Sequence, residues 1–247
     1  MIRTIRTALR RMRSDDSGLS LAEVLVSGLL TVAIMAMIGS MLVSVAKLTA
    51  QSTQTTKSNN VASNIANEVT SVLRVATPKA VSGQIVPSPA VVYAKPESLI
   101  IYSLSNVDPA NPANLAPVRV TYSIVDTPTL KRQVLEERCK ATIVGGFYTW
   151  PDPFGSPPCA AANYSKRYLG GAIQAWTSLN DQFFAYYTTS GTVIPFDTSG
   201  KISDADLKTV ASIRVYVSVK AEGSTNKPAV ISNKVVMGNL GLDNTES

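Results

Sequence analysis

One long apolar run near the start of the chain dominates the pattern of hydrophobic and polar positions. Between Val24 and Ala46 there is no charged residue and no proline. A helix of about 20 apolar residues crosses the roughly 30 Å hydrocarbon core of a bilayer, so the run predicts a membrane-spanning helix. The apolar core of a secretory signal peptide has about 7–15 residues and is too short to match it. A plain membrane anchor is the other interpretation.

After the apolar run the pattern becomes one-sided. Apolar residues recur at steps of three and four, at Val61, Ile65, Val69, Val72 and Ala76. This spacing predicts an amphipathic helix with a single buried face. The intervening polar residues include neither proline nor glycine, and Pro78 ends the helical pattern. We therefore expect one continuous helix from Leu19 to about Val75, with an apolar half over 19–46 and an amphipathic half over 47–77.

The rest of the chain alternates between apolar and polar residues, which is the period of β-strands. Strand patterns lie at residues 98–104, 118–125, 130–137, 182–187, 192–196, 211–220 and 229–237. Two pairs of neighbouring strands are predicted hairpins, one around residues 126–129 and one around 188–191. Along 211–220, alternate residues beginning at Ile213 should face the core. Together these patterns predict an α+β fold, in which the helix packs on an antiparallel sheet domain over 78–247.

Residues 139–171 break the alternation with several glycines and prolines. The segment holds six of the sixteen aromatic residues in the chain: Phe147, Tyr148, Trp150, Phe154, Tyr164 and Tyr168. These rings either form a small core beneath a long loop or lie exposed as a recognition surface, since aromatic residues are enriched at interfaces. The candidate residues for such a surface are Phe147, Tyr148, Trp150, Lys166 and Arg167.

Cys139 and Cys159 are the only cysteines in the chain. Two thiolates without a histidine make a poor zinc site, whereas a disulfide is the expected state of two cysteines outside the cytoplasm. In the chain-entropy description, closing a loop of this size stabilises the fold by about 3 kcal/mol. We therefore predict a Cys139–Cys159 disulfide that staples the segment 139–171.

The sequence gives little support to an enzyme. It has no histidine, which excludes Ser-His-Asp triads and histidine-ligated metal sites, and it contains no phosphate-binding loop or nucleophile motif. The short acidic pair Asp204 and Asp206 fits a helix N-terminus better than a calcium site. We predict no catalytic residue, no metal and no cofactor.

The net charge is less informative than it first looks. The formal value of +6 falls to +3 when residues 1–18 are set aside, because that segment carries five arginines and two aspartates. A weakly basic remainder is weak support for a polyanionic partner. Basic residues such as Arg138 and Lys140 beside the aromatic segment could bind single-stranded DNA by charge and stacking. A solvent-exposed polar face explains them more simply.

A short charged leader precedes the apolar run. It contains Arg3, Arg6, Arg10, Arg11 and Arg13. Lys and Arg favour the cytoplasmic side, which places the N-terminus inside and the chain after Lys47 outside. Gly18 is the last residue of the leader, and Glu23 is the fifth residue after Gly18. An ionised carboxylate costs at least a few kcal/mol in hydrocarbon, so Glu23 should lie near the interface or be paired.

This combination resembles the cleavage and methylation signal of type IV prepilins and pseudopilins. The family prefers phenylalanine where this chain has Leu19. The resemblance implies that a membrane prepilin peptidase cuts after Gly18 on the cytoplasmic face and removes the leader, residues 1–18. Leu19 then becomes the N-terminus and the site of N-methylation. In the family the glutamate pairs with the amine of the first residue, on the same subunit or on a neighbour, so the resemblance makes Glu23 the assembly residue.

The β-rich part of the chain is similar to minor pilins and pseudopilins of the PilW and GspJ type, in its 118–137 hairpin and in the residues from Phe184 to Gly191. The implied fold is a long N-terminal helix packed on an antiparallel sheet. The implied function is that of a structural subunit of a type IV pilus or type II secretion-like filament. Its implied partners are other pilins or pseudopilins, the prepilin peptidase and the assembly platform of the cytoplasmic membrane. The alternative function is a single-pass cell-surface binding protein that uses the aromatic disulfide loop.

Overall fold

The structure, a computed structural model, describes residues 20–80, 87–105, 116–128, 132–155, 158–220 and 227–238. Gly18 and Leu19, on which the processing prediction depends, lie outside these ranges. The chain divides into two compact units, of which the first ends at Ser52 and the second begins at Thr53.

A single helix, α1 (Leu21–Arg74), accounts for both halves of the predicted helical pattern. It ends close to the predicted Val75, shortly before Pro78, whose ring and missing N–H do not fit a helix interior. Its second half buries one stripe of residues: Ser58, Ala62, Ile65, Ala66, Val69, Thr70, Val72 and Leu73. The predicted amphipathic face is therefore confirmed.

The described residues contain ten strands, all joined in antiparallel pairs. They are β1 (Val91–Lys95), β2 (Ser98–Ser103), β3 (Val118–Val125), β4 (Gln133–Lys140), β5 (Thr142–Val144), β6 (Phe147–Thr149), β7 (Tyr164–Tyr168), β8 (Phe184–Tyr187), β9 (Ser212–Val219) and β10 (Ala229–Val236). One sheet has five strands in the order β1-β2-β3-β4-β7 and another has three in the order β10-β9-β8, while β5 and β6 form a separate ribbon. The predicted α+β class is confirmed.

The hydrophobic core of the second unit joins the second half of α1 to both larger sheets. The largest fully buried side chains include Tyr122 from β3, and Phe184 and Tyr186 from β8. The Tyr186 hydroxyl donates a hydrogen bond to the Lys95 carbonyl at 2.9 Å and so links the two sheets. Because burying a large apolar side chain contributes about 1.5–3 kcal/mol, packing rather than helix propensity fixes this part of α1.

Some strand predictions were wrong. Residues 142–144, 147–149 and 164–168, all expected in a loop, form β5, β6 and β7, the last because β4 offers it a pairing edge. Residues 192–196 were expected to form a strand. They pair with β8 through one isolated β-bridge, between Val193 and Tyr187. Pro195 lacks the N–H that a longer ladder would need. By contrast, the predicted alternation along β9 is confirmed, since its residues alternate between buried and half-buried from Ile213 onward.

Cys139, near the end of β4, forms a disulfide with Cys159, as predicted. Replacing both cysteines with serine is expected to lower the free energy of unfolding by about 3 kcal/mol, because the unfolded chain loses a closed loop of 20 residues. Urea unfolding of the full chain in detergent measures this change. Wild-type protein held in reductant is the matched control and should unfold at the same urea concentration as the double variant. Equal stability of the variant and the oxidised wild type would contradict the prediction.

Candidate functional site

The first candidate site is the apolar surface of α1 up to Ser52. Every large apolar side chain there is exposed, from Val45 at 52% to Leu21 at 83%. Among the described residues, α1 is the one helix long and apolar enough to cross a membrane. Leaving such side chains in water costs about 1.5–3 kcal/mol each relative to burial, so this surface needs lipid or apolar protein around it.

A capping box closes the N-terminus of α1. The Ser20 backbone N–H donates a hydrogen bond to Glu23 Oε2 at 3.1 Å. The Glu23 backbone N–H donates one in return to Ser20 Oγ at 3.2 Å. This reciprocal pair satisfies backbone N–H groups that a helix start otherwise leaves without partners. Glu23 therefore has a partner within its own helix, which the sequence reasoning did not consider. The Ser-x-x-Glu spacing of Ser20 and Glu23 is itself the sequence signature of this box.

The second candidate site is an ion cluster, which we call the helix–sheet cluster: Glu68 of α1, Glu136 and Arg138 of β4, and Arg167 of β7. The Glu136 carboxylate is fully buried. Arg138 donates to its Oε1, and Arg167 donates to its Oε2 through Nε at 3.1 Å and Nη2 at 2.9 Å. Arg138 and Arg167 also donate to Glu68 Oε1. The cluster thus ties two strands of the five-stranded sheet to the second half of α1.

The electrostatics of the helix–sheet cluster follow from this geometry. Burial opposes the charge on Arg167, but the carboxylates of Glu136 and Glu68 raise its pKa above the ordinary value. Burial, reinforced by Glu136, raises the pKa of the Tyr122 hydroxyl well above its usual range. Each charge in the cluster has an opposite partner, which is the condition under which a buried carboxylate is tolerated. Arg167, proposed from the sequence as a recognition residue, is therefore engaged in holding the helix.

The opposite face of the five-stranded sheet carries the stapled loop. A cross-strand row of Tyr102, Arg119, Cys139 and Tyr164 runs over this face. Arg119 is buried, and its two terminal nitrogens donate to the carbonyls of Pro151 and Pro158 within the loop. Tyr164 donates to Glu137, and burial together with this hydrogen bond raises the pKa of Tyr164 to about 12. Glu136 and Glu137 are neighbours in β4 and therefore point to opposite faces of the sheet.

Two aromatic rings fasten the same loop. Trp150 Nε1 donates to the Cys139 carbonyl at 2.9 Å, and its ring packs against Tyr102 with 4.6 Å between ring centroids. Phe154 packs edge-on against Tyr93 at 5.2 Å. The interpretation of a small core beneath a stapled loop therefore holds for Trp150 and its partner.

The other proposed recognition residues are spread over different surroundings. Phe147 is half-buried and Tyr148 is 37% exposed, both on β6. Lys166 is exposed on β7. Sequence reasoning missed the exposed apolar residues of β5: Ile143 pairs with Tyr148, and Val144 pairs with Phe147. Within the described ranges, no group of three or more Cys, Asp or Glu residues is placed to hold a metal ion.

Comparison with protein-family models, with curated proteins and with solved structures gave no significant match to this chain.

Proposed function

We propose that this chain is a minor pilin or pseudopilin, a structural subunit of a type IV pilus or type II secretion-like filament. The observation that carries the proposal is the first turn of α1, where Glu23 caps a helix that continues as a fully exposed apolar surface. A helix that is apolar on all sides needs lipid around it before assembly and neighbouring subunits after it. The second half of α1 packs into the hydrophobic core of the β-rich unit and so belongs to the folded domain of the subunit.

The capping bond is compatible with a second role for Glu23 in assembly. An ionised carboxylate has about four lone-pair sites, and the Ser20 N–H uses one of them at Oε2. In the proposal, cleavage after Gly18 gives Leu19 an ammonium group that pairs with Glu23 of its own or a neighbouring subunit. This pairing would set the axial register of the incoming subunit.

The Cys139–Cys159 bond supports an outward location of the β domain, because disulfides persist in oxidising compartments. The leader arginines favour an inward N-terminus. In this arrangement the chain is a single-pass protein of the cytoplasmic membrane before assembly. Its partners are the prepilin peptidase, the assembly platform and other pilins or pseudopilins.

Processing at Gly18 is the direct test of this proposal. Intact-mass analysis and N-terminal sequencing of the cellular protein should find Leu19 as the first residue. Gly18→Leu should leave the chain at full length, because a bulky residue replaces the glycine at the cut. Ser14→Leu, four positions upstream in the same leader, is the matched control and should be processed normally. A mature chain that starts at Met1 or Lys47 would refute the proposal.

A further inference from the structure

The ribbon of β5 and β6 is apolar on both of its faces. In a β-ribbon, successive side chains point to opposite faces. Ile143 pairs across the ribbon with Tyr148 on one face, and Val144 pairs with Phe147 on the other. Ile143 is 69% exposed and Val144 63% exposed. A flap that merely covers a core needs one apolar face, whereas a ribbon with two needs surroundings that enclose it.

Within the described ranges, the ribbon is not hydrogen-bonded to either larger sheet, but its two ends are fixed in place. Among the described residues, β5 and β6 pair with no other strand. Thr142 and Thr149 close the base through a contact of 3.0 Å between their hydroxyl oxygens. The Cys139 disulfide and the bond from Trp150 to the Cys139 carbonyl fix both chain ends that lead into the ribbon. An apolar tip held rigidly in this way loses little conformational entropy on binding.

The order of residues along the ribbon matches the layers of a bilayer interface. The tip turns at Gly145 and Gly146, both at positive φ, and residues 141–151 carry no charge. The exposed ring of Tyr148 follows toward the base, and tyrosine rings are enriched at headgroup depth in membrane proteins. Lys140 is exposed directly beyond the base. The apolar tip would therefore lie at the acyl chains, the ring of Tyr148 at the interface and the ammonium of Lys140 at the phosphates.

The charges at the base favour an anionic surface. Lys140 is exposed, and the described part of the chain places no carboxylate in an ion pair with it. Asp152 is the exposed carboxylate of this loop and lies beyond Trp150 on the other arm. We propose that the β5–β6 ribbon inserts into the interface of an anionic phospholipid bilayer, with Lys140 against the headgroup phosphates. This binding site does not depend on the filament function.

Vesicle flotation with the full chain tests the ribbon. The chain is held in nanodiscs of phosphatidylcholine, which shelter the apolar half of α1, and is mixed with vesicles that contain phosphatidylglycerol. Wild type should float with these vesicles, and Ile143→Ser with Val144→Ser should weaken binding by about tenfold or more, because two apolar side chains are lost. Leu179→Ser with Val193→Ser, which also removes two exposed apolar residues, is the matched control and should bind like wild type.

Further measurements separate lipid insertion from binding to a protein and from misfolding of the variant. Lys140→Gln should weaken binding to the anionic vesicles more than to vesicles of phosphatidylcholine alone. The tryptophan fluorescence of a Tyr148→Trp variant should shift to shorter wavelength when vesicles are added. This measurement tests insertion even if the double serine variant misfolds. An unchanged spectrum, or wild-type binding by a folded double serine variant, would overturn the proposal. If the chain does not bind vesicles and the ribbon instead captures a protein, the proposal would also be overturned. The ribbon would then be a binding site for a protein.

Discussion

A chain in which Glu23 is replaced by glutamine is expected to insert into the membrane and to be cleaved normally, yet to be missing from filaments. Insertion depends on the apolar length of α1 and on the leader arginines, and neither changes. The proposed cleavage depends on the glycine at position 18, which is also unchanged. Glutamine still accepts the Ser20 N–H, since Glu and Gln serve equally in a capping box. Only the negative charge is lost.

The expected assembly defect is large because the lost charge has a buried partner in the proposed filament. Removing one member of a buried ion pair costs about 3–5 kcal/mol, which is a hundredfold or more in the assembly equilibrium. Glu23→Ala should fail to the same degree. Glu23→Asp should assemble with intermediate efficiency, because it keeps the charge on a side chain one methylene shorter.

Ser20→Ala is the matched control that separates capping from charge pairing. It removes the Oγ partner of the Glu23 N–H, at a cost of about 0.5–2 kcal/mol, but leaves the carboxylate in place. Each variant is fractionated into membrane and sheared-filament pools and quantified in both. We expect Ser20→Ala in the filament pool and Glu23→Gln in the membrane pool alone. The reverse result would mean that Glu23 acts through its helix cap and not through its charge.

Local signals in the sequence predicted the elements that local chemistry controls. The end of α1 near Val75 follows from Pro78, and the alternation of β9 follows from its own residues. The Cys139–Cys159 bond could be predicted because no other cysteine competes for either partner. In each case the residues that determine the feature lie close together in the sequence, or, as with the two cysteines, can pair in one way alone.

Features that depend on distant pairing were not predictable from local patterns. Arg167 meets Glu68 across 99 residues, and nothing near either residue indicates the other. β7 is a strand because β4 provides a free edge, which the sequence of residues 164–168 does not reveal. The Ser20–Glu23 capping box is different, since its spacing is visible in the sequence. The prepilin resemblance gives the same glutamate a different role, in assembly, and implies nothing about a cap.

The helix–sheet cluster provides the largest expected effect on stability. Glu136→Gln should lower the free energy of unfolding by about 3–5 kcal/mol, because two guanidinium groups lose the buried carboxylate that compensates them. Glu68→Gln should cost less, since the Glu68 side chain is 33% exposed and water can replace part of its contribution. The full chain in detergent is unfolded with urea, and the loss of tryptophan fluorescence gives the free energy.

Glu137→Gln is the matched control for the buried carboxylate. It makes the same chemical change one residue along β4, but on the opposite face, where the side chain accepts a hydrogen bond from Tyr164. A neutral amide oxygen can still accept that bond, so we expect a loss of about 1 kcal/mol or less. A double-mutant cycle between Glu136→Gln and Arg138→Gln should return a coupling energy of about 0.5–3 kcal/mol, since the two side chains are in direct contact. If Glu136→Gln and Glu137→Gln destabilise the chain equally, the charges of the helix–sheet cluster add nothing to the free energy of unfolding. The apolar stripe of α1 alone would then hold the helix to the sheet.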